Sequence, residues 1–214
     1  MDPVILKDFD IVIEPKEVKR FLGHREESGR KTRARTDEVV AEAIEQAGRL
    51  VSAAGIYVDA SGGDLPGSTV FDGLERVVYC VCTIGPELED EVSRLSADDE
   101  LLRAVVLDAV GSVAAEAVAE HMDRAIQDMA ADEGLKTSCR ASPGYGDWDV
   151  REQRALFELV PADRIGVRLS ESAMMIPRKS VSFAIHIDEH PVRMRSENSC
   201  RNCGRKDCSY WFLE

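Results

Sequence analysis

The chain has 214 residues, enough for one large domain or two small ones that bury a core without disulfide or metal support. A formal net charge of −13, from 27 basic and 40 acidic residues, argues against general nucleic-acid binding. No apolar run has the length of a membrane span, and MDPVILKDFD lacks the basic-then-apolar pattern of a signal peptide. We therefore expect a cytoplasmic protein whose six cysteines are reduced thiols or metal ligands.

The first half of the chain predicts two helices and a buried strand. PKEVKRFLGH is typical of a short helix. Thr36 is expected to cap a longer helix, because the acidic Asp37 and Glu38 follow in its first turn and an apolar stripe continues at helical spacing. After the glycine-rich ASGGDLPGS, the run LERVVYCVC is rich in β-branched residues and predicts a strand buried on both faces.

The second half predicts the longest helix and an alternating strand. Apolar residues recur at helical spacing from about Asp98 to Ala131. SVSFAIHI alternates strictly and places four side chains on one face: Val181, Phe183, Ile185 and Ile187. Together these patterns predict an α+β fold, with long helices packed on a mainly antiparallel, bent sheet. We expect a single domain over residues 1–195 and a cysteine-rich tail over residues 196–214.

Glu116 and the stretch RASPGYGDWD, which begins at Arg140, carry residue types that suit a ligand. Glu116 shares the apolar face of the long helix, where a carboxylate either reaches water at the edge or is buried and paired. Arg140 offers a planar guanidinium for a carboxylate, and Gly144 lets a ligand approach the backbone. Tyr145 and Trp148 offer rings for stacking. An amino-acid ligand that carries a cation would suit Glu116 and Arg140, whereas an ordinary surface turn is the alternative interpretation of the loop.

RASPGYGDWDVREQRALFEL, followed by IGVRLSESAMMIPRKSVS, resembles the activation domain of cobalamin-dependent methionine synthase. The preceding LDAVGSVAAEAVAEH is similar to the helix in which a glutamate of that family contacts S-adenosylmethionine. In order, spacing and residue type the resemblance covers residues 105–187. It implies a set of S-adenosylmethionine-binding residues on the helix and the loop: Glu116, Arg140, Ser142, Gly144 and Tyr145. Of these, Tyr145 is expected near the reacting face.

Two details of the resemblance concern the edges of the expected pocket. After the tyrosine that corresponds to Tyr145, full-length synthases typically continue with a Pro-Ala-Cys-Pro type sequence, where this chain has GDWD. We therefore expect the outer wall of the pocket to differ. The family also has an acidic contact near its N-terminus, for which Asp8 and Asp10 are the candidates.

The resemblance implies a short, free-standing relative that reactivates a cobalamin-dependent or corrinoid methyltransferase, with methionine synthase the first candidate. It would present S-adenosylmethionine as methyl donor to cobalt, with electrons from a flavodoxin- or ferredoxin-type donor. The cobalamin is expected on a partner chain, because DEHPVR copies only the first half of the D-x-H-x-x-G motif of cobalamin-binding domains. A non-catalytic scaffold that binds a corrinoid protein is the alternative.

The tail SCRNCGRKDCSYW carries three candidate metal ligands, Cys200, Cys203 and Cys208. The spacing of Cys200 and Cys203 lets both thiolates converge on one metal, and Cys208 can supply a third. Zinc, an iron–sulfur cluster and plain reduced thiols are all compatible with this set. A metal or redox accessory role for the tail is therefore a further alternative to reactivation.

Overall fold

A computed structural model describes residues 2–23 and 30–192 of the chain. Its α-helices are α1 (Pro15–Phe21), α2 (Arg30–Leu50), α3 (Glu87–Ala97), α4 (Leu101–Asp132) and α5 (Gln153–Leu159). Its strands are β1 (Val4–Leu6), β2 (Ala54–Ala60), β3 (Val77–Thr83), β4 (Lys136–Thr137), β5 (Arg168–Leu169), β6 (Met175–Ile176) and β7 (Ser180–Asp188). The predicted domain boundary at residue 195 and the tail beyond it lie outside the described residues.

Five strands form one antiparallel sheet in the order β1-β2-β3-β7-β4. β3 pairs along its whole length with β2 on one side and β7 on the other, and every residue of β3 is buried. The β-branched, apolar sequence of β3 suits this position, because a central strand covered on both faces has no side turned to water. β5 and β6 form a separate antiparallel hairpin. The predicted α+β fold with a mainly antiparallel sheet is confirmed.

Helices α1 to α4 cover one face of the sheet. We call the apolar cluster between them the helix-side core; the sheet contributes Val78, Cys80, Cys82, Phe183, Ile185 and Ile187 to it. The long helix α4 lies close to its neighbours because small side chains permit it: a Cβ placed on Gly111 would lie 2.6 Å from Leu88 of α3. No helix in the described part of the chain is both long and apolar enough to cross a membrane.

The opposite face of the sheet is covered by loops and by α5. We call this second cluster the loop-side core; its larger members are Ile56, Leu65, Phe71, Tyr79, Trp148 and Leu156. Because both faces are covered, the residues of β7 that alternate with its predicted apolar face are buried too: Ser182, Ala184 and His186. The alternating pattern identified the strand, but it did not reveal that the second face is also covered.

The start of α2 differs from the sequence prediction. The helix begins at Arg30, so Thr36 lies inside it and does not cap it. The stretch RKTRAR is composed largely of good helix formers and contains neither glycine nor proline, so nothing in it ends the helix before Thr36. The apolar stripe itself is confirmed, since Val40, Ala43 and Ala47 are buried in the helix-side core.

Candidate functional site

The segment that follows α4 runs beside β7 at the edge of the sheet. β4 pairs with the end of β7, and Ala141 and Ala184 then exchange two backbone hydrogen bonds of 2.9 and 2.8 Å. Successive side chains of an extended segment point to opposite faces of a sheet. Ala141 is accordingly buried in the loop-side core, whereas Arg140 contacts residues of the helix side.

The Arg140 side chain lies between α4 and β7 and is only 17% exposed. Its Nη2 donates a hydrogen bond to Oε1 of Glu116, and its Nε lies 3.7 Å from Oδ2 of Asp123. The guanidinium carbon is 5.5 Å from the centre of the Phe183 ring, which is within range of a cation–π interaction. Two carboxylates and one aromatic face therefore surround a largely covered positive charge.

The two acidic partners of Arg140 lie on one face of α4 but differ in exposure. Asp123 follows Glu116 by about two helical turns, so their side chains project in similar directions. The Glu116 side chain is 54% exposed and the Asp123 side chain 18%. Gln127, one turn further along α4, donates from Nε2 to Oδ1 of Asp123 over 2.9 Å. Glu116 is thus the solvent edge of the cluster, and Asp123 is its covered end.

Burial and charge act in opposite directions on this cluster. Burial raises the pKa of Asp123, and the hydrogen bond from Gln127 together with the charge of Arg140 offsets only part of that rise. Burial also lowers the pKa of Arg140, but the nearby carboxylates, Glu116 foremost, outweigh it, so that the pKa of Arg140 is raised on balance. Arg140 is therefore charged at any physiological pH, whereas ionised Asp123 carries an electrostatic cost.

Residues 142–148 form a tight turn directly after Arg140. Backbone hydrogen bonds join the Tyr145 N–H to the Ser142 carbonyl over 3.2 Å and the Gly144 N–H to the Trp148 carbonyl over 2.7 Å. Gly144 has a φ of +92°, in the left-handed region that glycine adopts without strain. Ser142 is buried, whereas Tyr145 is 56% exposed. The turn therefore presents backbone and one aromatic ring to solvent.

The prediction that Trp148 offers a ring for stacking on a ligand is wrong. Its indole is 1% exposed and packs edge to face on Phe71, with ring centroids 4.8 Å apart. The turn brings the chain back over the loop-side core, and Trp148 is the largest side chain buried there. The stretch GDWD, where this chain departs from the full-length synthases, therefore contributes packing that fixes the turn.

The structure brings the predicted ligand residues together to different degrees. Glu116 and Arg140 are in direct contact, and Ser142, Gly144 and Tyr145 lie in the turn that follows Arg140. Asp123 was missed. Its signal was present, because a second acidic residue two turns after Glu116 shares the same helix face. That spacing could not reveal which basic residue would approach it.

The N-terminal segment with the two candidate acidic residues lies against α4. Phe9, between Asp8 and Asp10, packs edge to face on His121, with ring centroids 5.1 Å apart. Both carboxylates are exposed. The segment is therefore fixed on the long helix that carries Glu116, and the assignment of the family's N-terminal acidic contact to Asp8 or Asp10 stays a prediction.

The predicted metal ligands Cys200, Cys203 and Cys208 lie outside the described residues. Within the part of the chain that is described, no three histidine, cysteine or acidic side chains group as metal ligands do. Cys80 and Cys82 are buried in β3. Burial raises the pKa of Cys82 to about 12, so it is a thiol at neutral pH. A metal on the tail stays a prediction.

Fold and site together define a class of protein. It is an α+β domain in which helices cover one face of an antiparallel sheet and a charged cluster lies between the longest helix and a turn at the sheet edge. The family of the vitamin B12 dependent methionine synthase activation domain matches residues 72–192, more than half of the chain. The chain belongs to this family. The matched region contains both Glu116 and Arg140.

A solved structure has a similar fold. It is described as the crystal structure of the MetH reactivation domain bound to AdoHcy, and it is similar to this chain with a TM-score of 0.61 and 14% sequence identity. The match covers 89% of this chain and 79% of that one. No curated protein sequence matches this chain.

Proposed function

We propose that the chain binds S-adenosylmethionine at the Glu116–Arg140 cluster and presents its methyl group to the cobalt of a cobalamin- or corrinoid-carrying partner, foremost methionine synthase. Membership of the activation-domain family supports the partner, and the AdoHcy bound to a reactivation domain of similar fold supports the ligand. The observation that carries the proposal is the contact of one basic and one acidic side chain at an edge open to water.

The charges of this pair fit the amino-acid end of the proposed ligand. That end carries a carboxylate and an ammonium, and Arg140 and Glu116 carry the opposite charges. In the structure the two side chains satisfy each other, which avoids an uncompensated charge at a largely covered position. A zwitterion replaces both halves of the pair at once. Its carboxylate accepts from Arg140, and its ammonium, or a ribose hydroxyl, donates to Glu116.

The turn after Arg140 supplies the rest of the proposed site. The left-handed backbone at Gly144 keeps the turn tight without a side chain in the way, and residues 144–147 are exposed. We assign the Ser142–Gly144 backbone to one wall of the proposed site and place the Tyr145 ring next to the sulfonium of the ligand. An aromatic face attracts a cation, so an exposed tyrosine suits that position.

The chain's own contribution is to bind and aim the methyl donor, since the partner's cobalt carries the redox chemistry. One electron from a flavodoxin- or ferredoxin-type donor and the methyl group of the sulfonium together return cobalt(II) to the methylated state and leave S-adenosylhomocysteine. The residues of this chain must hold the amino-acid end and leave the methyl group accessible. The exposed positions of Glu116 and Tyr145 are compatible with that requirement.

A reactivation assay tests the proposal. A methionine synthase that lacks its own activation domain is held as cobalt(II) and given S-adenosylmethionine and a reductant, with and without this chain. We expect methylated cobalamin, followed by its absorbance, to form only with the chain present. Arg140→Lys should lose most of this activity, because lysine lacks the planar fork. Arg124→Lys, an exposed arginine of α4, should behave as the unchanged chain. Equal rates with and without the chain would contradict the proposal.

A calorimetric titration and a serine variant of the tail cysteines distinguish reactivation from the two alternative functions. A scaffold that only docks on the corrinoid protein would give no saturable heat with S-adenosylhomocysteine in a calorimetric titration. A metal or redox accessory protein would lose its effect when Cys200, Cys203 and Cys208 are replaced by serine, whereas methyl presentation at Arg140 would not. Saturable binding that Arg140→Lys weakens and the serine variant leaves unchanged would support the proposed function.

A further inference from the structure

The two carboxylates that face Arg140 are not equivalent. Glu116 lies at the solvent edge and contacts Nη2, one of the two terminal nitrogens of the guanidinium. Asp123 lies at the covered end and faces Nε, the nitrogen nearest the backbone. A ligand that arrives from solvent therefore meets the Glu116 side of the guanidinium first. It can displace Glu116 without disturbing Asp123.

Asp123 is also the better fixed of the two. Its Oδ1 accepts from Gln127 of the same helix over 2.9 Å, while its other oxygen, Oδ2, faces Arg140. The Phe183 ring lies against the guanidinium as well, 5.5 Å from its central carbon. The charge of Asp123, 3.7 Å from Nε, and the Phe183 ring both attract the guanidinium from the covered side, independently of the partner that its terminal nitrogens have.

Stability does not account for a carboxylate at this position. Burial raises the pKa of Asp123, which means that the surroundings disfavour its charged form despite Arg140. Among the described residues, the other titratable or charged groups that act on it are Glu120 and Arg124 of α4 and Cys80 of β3. A charged group kept at an energetic cost beside a proposed ligand site is typical of functional residues.

We infer that Asp123 is a positioning residue, which holds the guanidinium of Arg140 in place for the carboxylate of an amino-acid ligand, while Glu116 is the exchangeable partner. The inference rests on the proposed function, because it takes Arg140 as the carboxylate-binding group. In this arrangement Asp123 stays beside Arg140, and a ligand carboxylate takes the place of Glu116. The site therefore selects ligands that carry a free α-carboxylate.

The Asp123→Asn substitution distinguishes two effects of Asp123 on ligand binding: orientation of Arg140 and electrostatic repulsion of the ligand carboxylate. Asparagine keeps an oxygen that accepts from Gln127 but removes the negative charge. If Asp123 only contributed charge, its removal would strengthen the binding of a carboxylate, because like charges repel. If it positions Arg140, its removal weakens that binding, since Glu116 is then the one remaining carboxylate partner of Arg140 among the described residues and the guanidinium turns toward it.

The experiment is calorimetry on the full chain with two probes, S-adenosylhomocysteine and 5′-methylthioadenosine, which lacks the amino-acid end. For Asp123→Asn we expect S-adenosylhomocysteine to bind about tenfold more weakly, the usual scale for coupled ion pairs, and 5′-methylthioadenosine to bind as before. Asp128→Asn, an exposed acid on the same helix, should leave both affinities unchanged. As the pH falls from 8 to 4, through the raised pKa of Asp123, the unchanged chain should lose affinity for S-adenosylhomocysteine more steeply than Asp123→Asn does.

Three outcomes would overturn the inference. Unchanged or stronger binding of S-adenosylhomocysteine by Asp123→Asn would show that the carboxylate does not position Arg140. Equal weakening of both probes would show a structural role. Parallel pH profiles for the unchanged chain and Asp123→Asn would show that the charge of Asp123 is not involved. Failure of the unchanged chain to bind S-adenosylhomocysteine would overturn the proposed function as well, so the two failures are distinguishable.

Discussion

Residues 140–148 send side chains to both faces of the sheet, and the side chains on the two faces have opposite properties. On the helix side, Arg140 is a charged group whose two carboxylate partners, Glu116 and Asp123, differ in exposure. On the loop side, Ala141 and Trp148 are apolar and fully covered. Apolar packing on the loop side thus fixes the segment, and its proposed ligand contact lies on the helix side. Stability and ligand binding should therefore respond to different substitutions within ten residues.

The largest expected effect is on stability, from Trp148→Ala. Removal of a fully buried indole should cost about 3–5 kcal/mol in the free energy of unfolding, measured by denaturant titration. Tyr145→Ala, in the same turn but exposed, should change it by less than about 0.5 kcal/mol. Similar losses in the two variants would remove the distinction between the faces.

The next effect is on binding, from Glu116→Gln. Loss of the carboxylate should weaken S-adenosylhomocysteine about tenfold, because one charge-assisted hydrogen bond to the ligand is lost. The free energy of unfolding should change by less than about 1 kcal/mol, because the Glu116 side chain is 54% exposed and Asp123 still faces Arg140 in the variant. Calorimetry and denaturant titration on the same preparation check both values. A Glu116→Gln variant that is less stable but binds S-adenosylhomocysteine with unchanged affinity would contradict the assignment of Glu116.

A smaller effect is expected at Gly144. Gly144→Ala should cost about 1 kcal/mol, because alanine disfavours a φ of +92°. The surroundings add little, since the nearest atom to an added Cβ is 3.5 Å away. Gly48→Ala, at an open position of α2, should instead raise stability by up to about 1 kcal/mol. Equal signs for the two alanine variants, by thermal unfolding, would show that backbone conformation does not constrain the turn.

The smallest effect is a pH dependence of stability that comes from Asp123. Its pKa is raised in the folded chain, so the folded state binds this proton more tightly than the unfolded state. The corresponding stability is complete below the unfolded pKa of about 3.9 and is lost as the pH rises through the folded value. The unchanged chain should therefore gain stability relative to Asp123→Asn as the pH falls from 8 to 4. A relative loss over that range would contradict the direction of the shift.

The sequence predicted the regular elements better than the site. β3 carries a continuous apolar run, and α4 and β7 carry periodic apolar patterns; such patterns are local and therefore readable without the fold. The start of α2 was missed because RKTRAR contains no residue that ends a helix. The burial of Trp148 and the proximity of Asp123 to Arg140 were missed for another reason. Both depend on how residues 138–149 approach the sheet and α4, which no local pattern encodes.

The most direct test is a crystal structure of the chain with S-adenosylhomocysteine bound. We predict that the ligand carboxylate lies about 3 Å from the terminal nitrogens of Arg140, with Glu116 turned to the ammonium or the ribose. Asp123 should remain beside Nε of Arg140, and Tyr145 should border the sulfur. A ligand bound elsewhere, or bound beside an intact Glu116–Arg140 pair, would contradict the assignment of this cluster as the site.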